Sequence, residues 1–225
     1  MNIDGNEVSI TRKDIKSLRL YVKPPNGAVV ISAPRLMPIE EIEHFVRAKA
    51  GWIAKQQAKI AKQPRYAEHQ YVTGETFFLW GKPYKLLVHQ ASYNAYEISE
   101  YRAYLHIAVR LHSSRERRQR LLRDIYRELL QAEVSRRLPR WQAVTGLACS
   151  SWQTRQMTSR WGTCNSQKKQ ITFSLQLVER PVECLDYIIL HELLHLRVKN
   201  HGADFKALMD EYMPDWREVR KLLNG

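Results

Sequence analysis

Two histidines and a glutamate interrupt an otherwise aliphatic run, Tyr187-Ile188-Ile189-Leu190-His191-Glu192-Leu193-Leu194-His195-Leu196. Read as a helix, the run is apolar on nearly every side, which marks an element buried all round. A buried polar group without a partner costs on the order of 2 to 7 kcal/mol, so the imidazoles and the carboxylate need something to satisfy them. Residues four apart on a helix sit just over one turn apart on the same face, so His191 and His195 can share one cation. Glu192, about 100° further round, flanks that cation without ligating it. This is the H-E-x-x-H arrangement, in which two neutral imidazoles hold zinc and the glutamate takes a proton from the water that zinc activates.

A catalytic zinc usually takes three protein ligands. The downstream candidates are His201, Asp204, Asp210 and Glu211; His201 is the first choice and Glu211 the second. The spacing from His191 through His195 to His201 equals that of the metzincins, but Val198 stands where their pattern has glycine. Lys199-Asn200 reads as a helix end, because asparagine tolerates the left-handed conformation that closes helices. With Gly202 loosening the chain just after, the turn could carry His201 back toward the ion. Asp204 is the expected carboxylate that orients a ligating imidazole. One Zn2+ per chain is therefore expected.

These residues carry a resemblance. Arg160-Trp161-Gly162-Thr163-Cys164, Ile171-Thr172-Phe173-Ser174-Leu175, Pro181, the His191 helix, Asn200-His201-Gly202 and Phe205 together resemble the YgjP-like zinc metallopeptidase domain, a group akin to SprT-like proteases. The resemblance is most specific over residues 155–216. It implies zinc on His191, His195 and His201, Glu192 as general base, and an edge strand beside the metal helix along which an extended substrate can pair. Arg160, Trp161, Ile171 and Phe173 are the substrate-binding positions it points to. Two departures, Thr172-Phe173-Ser174 where many relatives have an asparagine and Lys206 where many have tryptophan after the phenylalanine, bear on substrate preference rather than on the metal.

The elements that must position this site read as an α+β chain with a zincin-like core, the H-E-x-x-H helix lying beside a small antiparallel sheet. Pro181 is expected to start the metal helix, with Glu183 and Asp186 near its positive end. Residues 171–178 read as a sheet edge. Upstream, residues 113–138 form an arginine-rich helix, with Leu122, Ile125, Leu129 and Ala132 as its apolar stripe and a basic face that reads as solvated. Four short strands are expected at 77–80, 84–88, 93–98 and 104–109. The first third reads as a small antiparallel sheet turned at Pro24-Pro25-Asn26-Gly27, followed by one helix over 38–62 that ends at Gln63-Pro64-Arg65 and buries Ile42, Phe45, Val46, Trp52 and Ile53. The expected division is an N-terminal β-rich region, 1–110, and a catalytic region, 111–225.

Composition narrows the setting. No run of about 18 apolar residues is present, no apolar leader opens the chain, and three cysteines, Cys149, Cys164 and Cys184, fit free thiols. A cytoplasmic protein without a membrane partner is expected. The formal net charge of +13 attracts polyanions, so nucleic acid is a possible partner besides a peptide or protein substrate. Three functions follow: a zinc metallopeptidase first, then a metal-dependent nucleotide phosphohydrolase of the nucleoside triphosphate pyrophosphatase type, then a SprT-like DNA-associated protease or nucleic-acid-binding module. Gly81-Lys82 is no phosphate loop, since the glycine spacing and the Ser or Thr after lysine are missing.

Overall fold

The computed structural model describes residues 1–23, 27–62, 69–157 and 159–224. It is a mixed α+β chain, with three small sheets and six α-helices among the described residues. None of those helices is long and apolar enough to cross a membrane. Two compact units divide between residues 68 and 69, not between 110 and 111 as the sequence pattern suggested. The core gives the reason. Leu86, Leu105 and Ile107 from the middle strands share one buried cluster with Ile125 and Leu130 of the long helix and with Ile189 and Leu193 of the metal helix.

In the first unit, β1 (Asn2–Ile3), β2 (Asn6–Lys13), β3 (Arg19–Lys23) and β4 (Ala28–Pro34) lie in the order β1-β2-β4-β3. β4 runs parallel to β2 and antiparallel to β3, so the sheet is mixed rather than antiparallel. The expected single helix is two, α1 (Ile39–Ala48) and α2 (Ala50–Lys62), parted at Lys49. Ile42, Val46 and Ile53 are buried on the sheet's small core, but Trp52 is exposed. The turn at Pro24-Pro25-Asn26 and the helix end at Gln63-Pro64-Arg65 lie outside the described residues.

The second unit repeats that strand pattern. β5 (Thr76–Leu79), β6 (Lys82–Gln90), β7 (Ala95–Ser99) and β8 (Tyr104–Val109) lie in the order β5-β6-β8-β7, again with a parallel central pair. Trp80 and Gly81, both at positive φ (51° and 79°), make the tight turn that suits strand twist. That turn meets the start of the metal helix: the Trp80 N–H donates to the Val178 carbonyl at 2.6 Å, and a Cβ on Gly81 would fall 2.8 Å from Pro181 Cγ.

α3 (Arg115–Thr145) opens at Ser114, whose hydroxyl accepts from the Arg117 N–H. Its buried stripe is Leu122, Ile125, Tyr126, Leu130, Val134, Leu138 and Trp141, the i+3/i+4 spacing of a helix lying on a core; Ala132 is exposed and Leu129 half-buried. The helix passes straight through Pro139, where the sequence reading stopped it. Burial of Leu138 and Trp141 on either side outweighs the roughly 3 kcal/mol that an interior proline costs.

β9 (Ser151–Arg155), β10 (Gly162–Asn165) and β11 (Gln170–Ser174) form the third sheet in the order β10-β11-β9. β11 is antiparallel to β10 but parallel to β9. The sheet beside the metal helix is therefore mixed, and the strand expected at its edge occupies its centre. The edge is β10. Residues Leu175–Glu179 turn as a 3-10 helix into α4 (Val182–Leu194), which is capped rather than begun by Pro181. α5 (Ala203–Tyr212) and α6 (Trp216–Asn224) complete the chain. Asp186 ties α4 to α3, accepting from Trp141 Nε1 at 2.8 Å and pairing with Arg137.

Candidate metal centre

Between Cys184 and Leu194 every residue of α4 except the half-buried Asp186 and His191 is buried, as its sequence demands. Within it, His191 and Glu192 face away from the aliphatic core toward a cleft. The helix ends at Leu194, with His195 as its cap. This is earlier than the Lys199-Asn200 end read from sequence, and Asn200 is not at positive φ. The Leu196, Arg197 and Val198 N–H groups bond back to Leu193 and Leu194, and this tight turn returns the chain so that His201 faces the helix.

The three imidazoles converge. Nε2 of His191 and His195 lie 3.2 Å apart, those of His195 and His201 3.1 Å, and those of His201 and His191 3.0 Å. Each Nε2 carries either one proton or one lone pair, so three that face one another cannot all be hydrogen-bonded. His195 leaves no choice of tautomer. Its Nδ1 lies 3.0 Å from the Val198 carbonyl, which only accepts, so the ring proton is there and Nε2 presents a lone pair. Burial first, then the neighbouring His195, His201 and Arg220 charges, push the His191 pKa down to about 3. Burial likewise lowers that of His201, aided by His195 and Arg220. Neutral imidazoles with converging lone pairs are a donor set for a cation, and the spacing is close to the roughly 3.3 Å between nitrogens that hold zinc tetrahedrally at about 2.0–2.1 Å. No other group of three His, Cys, Asp or Glu side chains converges this way among the described residues.

Phe205, at the first turn of α5, holds the rings. Its centroid lies 4.9 Å from those of His191 and His201 and 5.0 Å from that of His195, an apolar floor against which all three pack. The expected orienting carboxylate, Asp204, is exposed, and a backbone carbonyl, that of Val198, takes that part for His195. Nδ1 of His191 is buried with no hydrogen-bond partner among the described residues. The alternative ligand Glu211 is exposed, and Asp210 accepts from Trp216 Nε1 at 2.8 Å and pairs with Arg217.

Glu192 is 4% exposed. Burial pushes its pKa up to about 8, against a smaller opposing pull from Arg160. Gly162 makes room for it: a Cβ there would sit 2.7 Å from Glu192 Oε1 and 2.9 Å from Ile188 Cγ2. β10 can approach α4 this closely only without a side chain at that position, a long-range constraint invisible in the local sequence. Cys164 borders the same cleft, but burial, then Glu192 and Cys149, raise its thiol pKa to about 11. In the metal-free chain it is therefore a protonated thiol, and its sulfur does not converge with the three imidazoles.

The cleft has two chambers sharing Gly162, His191, Glu192 and His201. Arg160, Thr163, Ser166 and Lys199 line the polar one; Trp161, Tyr187, Phe205, Lys206, Trp216 and Arg220 line the aromatic one. Arg160 and Trp161 thus both reach the cleft. Ile171 and Phe173, expected to meet substrate, do not: both are 0% exposed in the core. Those side chains of β11 belong to the same buried cluster as Ile188, Ile189 and Leu193 of α4.

A sequence profile of the YgjP-like metallopeptidase domain matches residues 16–225. No curated protein matches the chain. Among solved structures, the chain is similar to the metallopeptidase zymogen abylysin of Pyrococcus abyssi (19% identity, TM-score 0.37, 39% of this chain and 89% of that one). It is also similar to the metallopeptidase zymogen jannalysin of Methanocaldococcus jannaschii (23% identity, TM-score 0.35, 39% and 90%).

Proposed function

The chain belongs to the YgjP-like metallopeptidase family, and on that premise we propose that it is a zinc-dependent peptidase of zincin-like design whose ion is held by His191, His195 and His201. The observation that carries this reading is the triangle of Nε2 atoms 3.0–3.2 Å apart. When bound, the ion supplies Lewis acidity, polarising a peptide carbonyl and making water nucleophilic near neutral pH.

The remaining work falls to the chain's own residues. Glu192, a buried carboxylate beside the triad, would accept a proton from the attacking water and return it to the departing amine. Gly162 keeps that carboxylate against the helix. β10 offers unpaired main-chain groups to an extended substrate, with Thr163 and Arg160 lining the polar chamber alongside it.

The test is casein digestion by zinc-loaded wild type, by Glu192→Gln and by wild type treated with a chelator, run beside phosphate release from nucleoside triphosphates. The reading expects proteolysis that Glu192→Gln reduces roughly 10²- to 10⁴-fold while zinc stays bound. Phosphate release without proteolysis would replace it with the phosphohydrolase reading.

A further inference from the structure

The aromatic chamber, a cavity of about 430 Å³, is larger than the chemistry of bond cleavage needs and falls in the range of cavities that seat a ligand group. Its walls are apolar: the Tyr187 and Trp216 rings lie parallel at 8° with centroids 6.4 Å apart, and Phe205 closes the side toward the triad. Its charges are not balanced. Arg220 and Lys206 line it, and Glu192, which belongs to the bond-breaking machinery, is its only acid.

α6 shows why Arg220 stands out. Of three neighbouring cations on that helix, Arg217 pairs with Asp210 and Lys221 with Glu218. Arg220, between them, pairs with no carboxylate among the described residues and borders the chamber. Arg220 is exposed, and it shares the lining of the chamber with His191, His201 and Tyr187. A guanidinium presents its donors as a planar fork that matches a carboxylate in bidentate fashion. Beside apolar walls, which compete poorly for its hydrogen bonds, it lacks only an anion.

Resting on the peptidase reading above, we propose that this chamber seats the substrate residue next to the scissile bond and that Arg220, with Lys206, selects one bearing a carboxylate. That carboxylate is either an acidic side chain or the free C-terminus of a peptide. A substrate residue of this kind fits both features at once, its methylenes lying against Tyr187 and Trp216 and its anion on Arg220.

Two experiments test this. In the first, peptides matched except for Glu, Gln or Lys at the residue flanking the cut, each with a free or an amidated C-terminus, are cleaved by wild type, Arg220→Ala, Arg220→Glu and Arg217→Ala. The expected result is a kcat/KM at least about tenfold higher for the carboxylate-bearing member of one series, a ratio that falls toward one in Arg220→Ala, favours a Lys peptide in Arg220→Glu and is unchanged in Arg217→Ala. Whichever series carries the preference identifies the source of the carboxylate. Equal cleavage of all members by wild type, or a preference that survives Arg220→Ala, overturns the inference and leaves the peptidase reading standing.

The second experiment needs no turnover. The indole NMR signals of Trp161 and Trp216 in zinc-loaded Glu192→Gln protein are titrated with N-acetylglutamate α-amide, N-acetylglutamine and N-acetylglutamine amide. Shifts with either carboxylate but not with the neutral amide, abolished by Arg220→Ala, support the chamber's role even if no peptide is cut and the peptidase reading fails. Identical responses to all three probes overturn it.

Discussion

α3 and α4 lie against each other in one core and treat their ionisable groups in opposite ways. α3 is rich in arginine, and much of that charge is met locally: Arg118 donates to the Ser113 and Gln70 carbonyls, Arg115 to that of His69, Arg127 pairs with Asp124, and Arg136 and Arg137 share Glu133. α4 carries few ionisable groups, and where it meets α3 it behaves the same way, with Asp186 fully engaged. One turn later it stops. Among the described residues Arg118 Nε on α3 is also buried without a hydrogen-bond partner, but its other two nitrogens are engaged; His191 Nδ1 has no partner and its Nε2 meets only the other triad nitrogens, and Glu192 is a buried carboxylate whose charge burial penalises. The lesson is that abundance of charge says little about function here, whereas unpaired charge in a dry place says a great deal.

The contrast can be broken most severely at the triad. His191→Ala and His195→Ala should lower zinc content, read by elemental analysis, from about one ion per chain to near none, whereas arginine-to-alanine changes on the exposed face of α3 should leave it unaltered. Next comes the helix itself. Leu190→Ala, at a fully buried position, should cost about 2–5 kcal/mol in denaturant unfolding, against less than about 0.5 kcal/mol for Arg123→Ala on the surface of α3. Gly162→Ala should keep zinc but depress turnover, because the added Cβ displaces Glu192; Gly162→Ala with full activity would remove the strand from the account. Asp186→Asn, which weakens the tie between the two helices, should cost about 1–3 kcal/mol without loss of the metal.

The last expected effect is on pH dependence in the metal-free protein. Folding lowers the His191 pKa from 6.5 to about 3, so the folded chain binds fewer protons there than the unfolded one, and stability from that group is lost as pH falls from about 6.5 toward 3. Glu192 works in reverse: its pKa rises from 4.5 to about 8, and the stability it confers is lost as pH rises through that window. Chelated Glu192→Gln should therefore keep its midpoint on the alkaline side where chelated wild type declines. Parallel curves would show that Glu192 is solvated in the metal-free protein.

Much of the centre was legible in sequence because it is local. His191, Glu192 and His195 fall within five residues on one helix, and His201 is near enough for a single turn to return it. What escaped depends on distant packing. Nothing near Gly162 announces that a glutamate thirty residues later needs its missing side chain, and Arg220 is set apart from Arg217 only by which neighbour lacks a carboxylate. Sheet order was misread for a related reason: alternation along residues 171–178 suggests one strand, but only Gln170–Ser174 forms it before Leu175–Glu179 turns as a 3-10 helix, and whether it is central or at an edge is decided by β9, which pairs with it in parallel. Ile171 and Phe173 were misassigned with it. The unit boundary followed the same pattern, since strands and helices that share a core need not be separated where the chain changes from one to the other.

The most direct measurement is the zinc K-edge absorption spectrum of the purified, zinc-loaded protein. The account predicts three imidazole nitrogens at about 2.0–2.1 Å and no sulfur, with the imidazole signal lost in His201→Ala. Sulfur at about 2.3 Å, or a shell unchanged by His201→Ala, would contradict it.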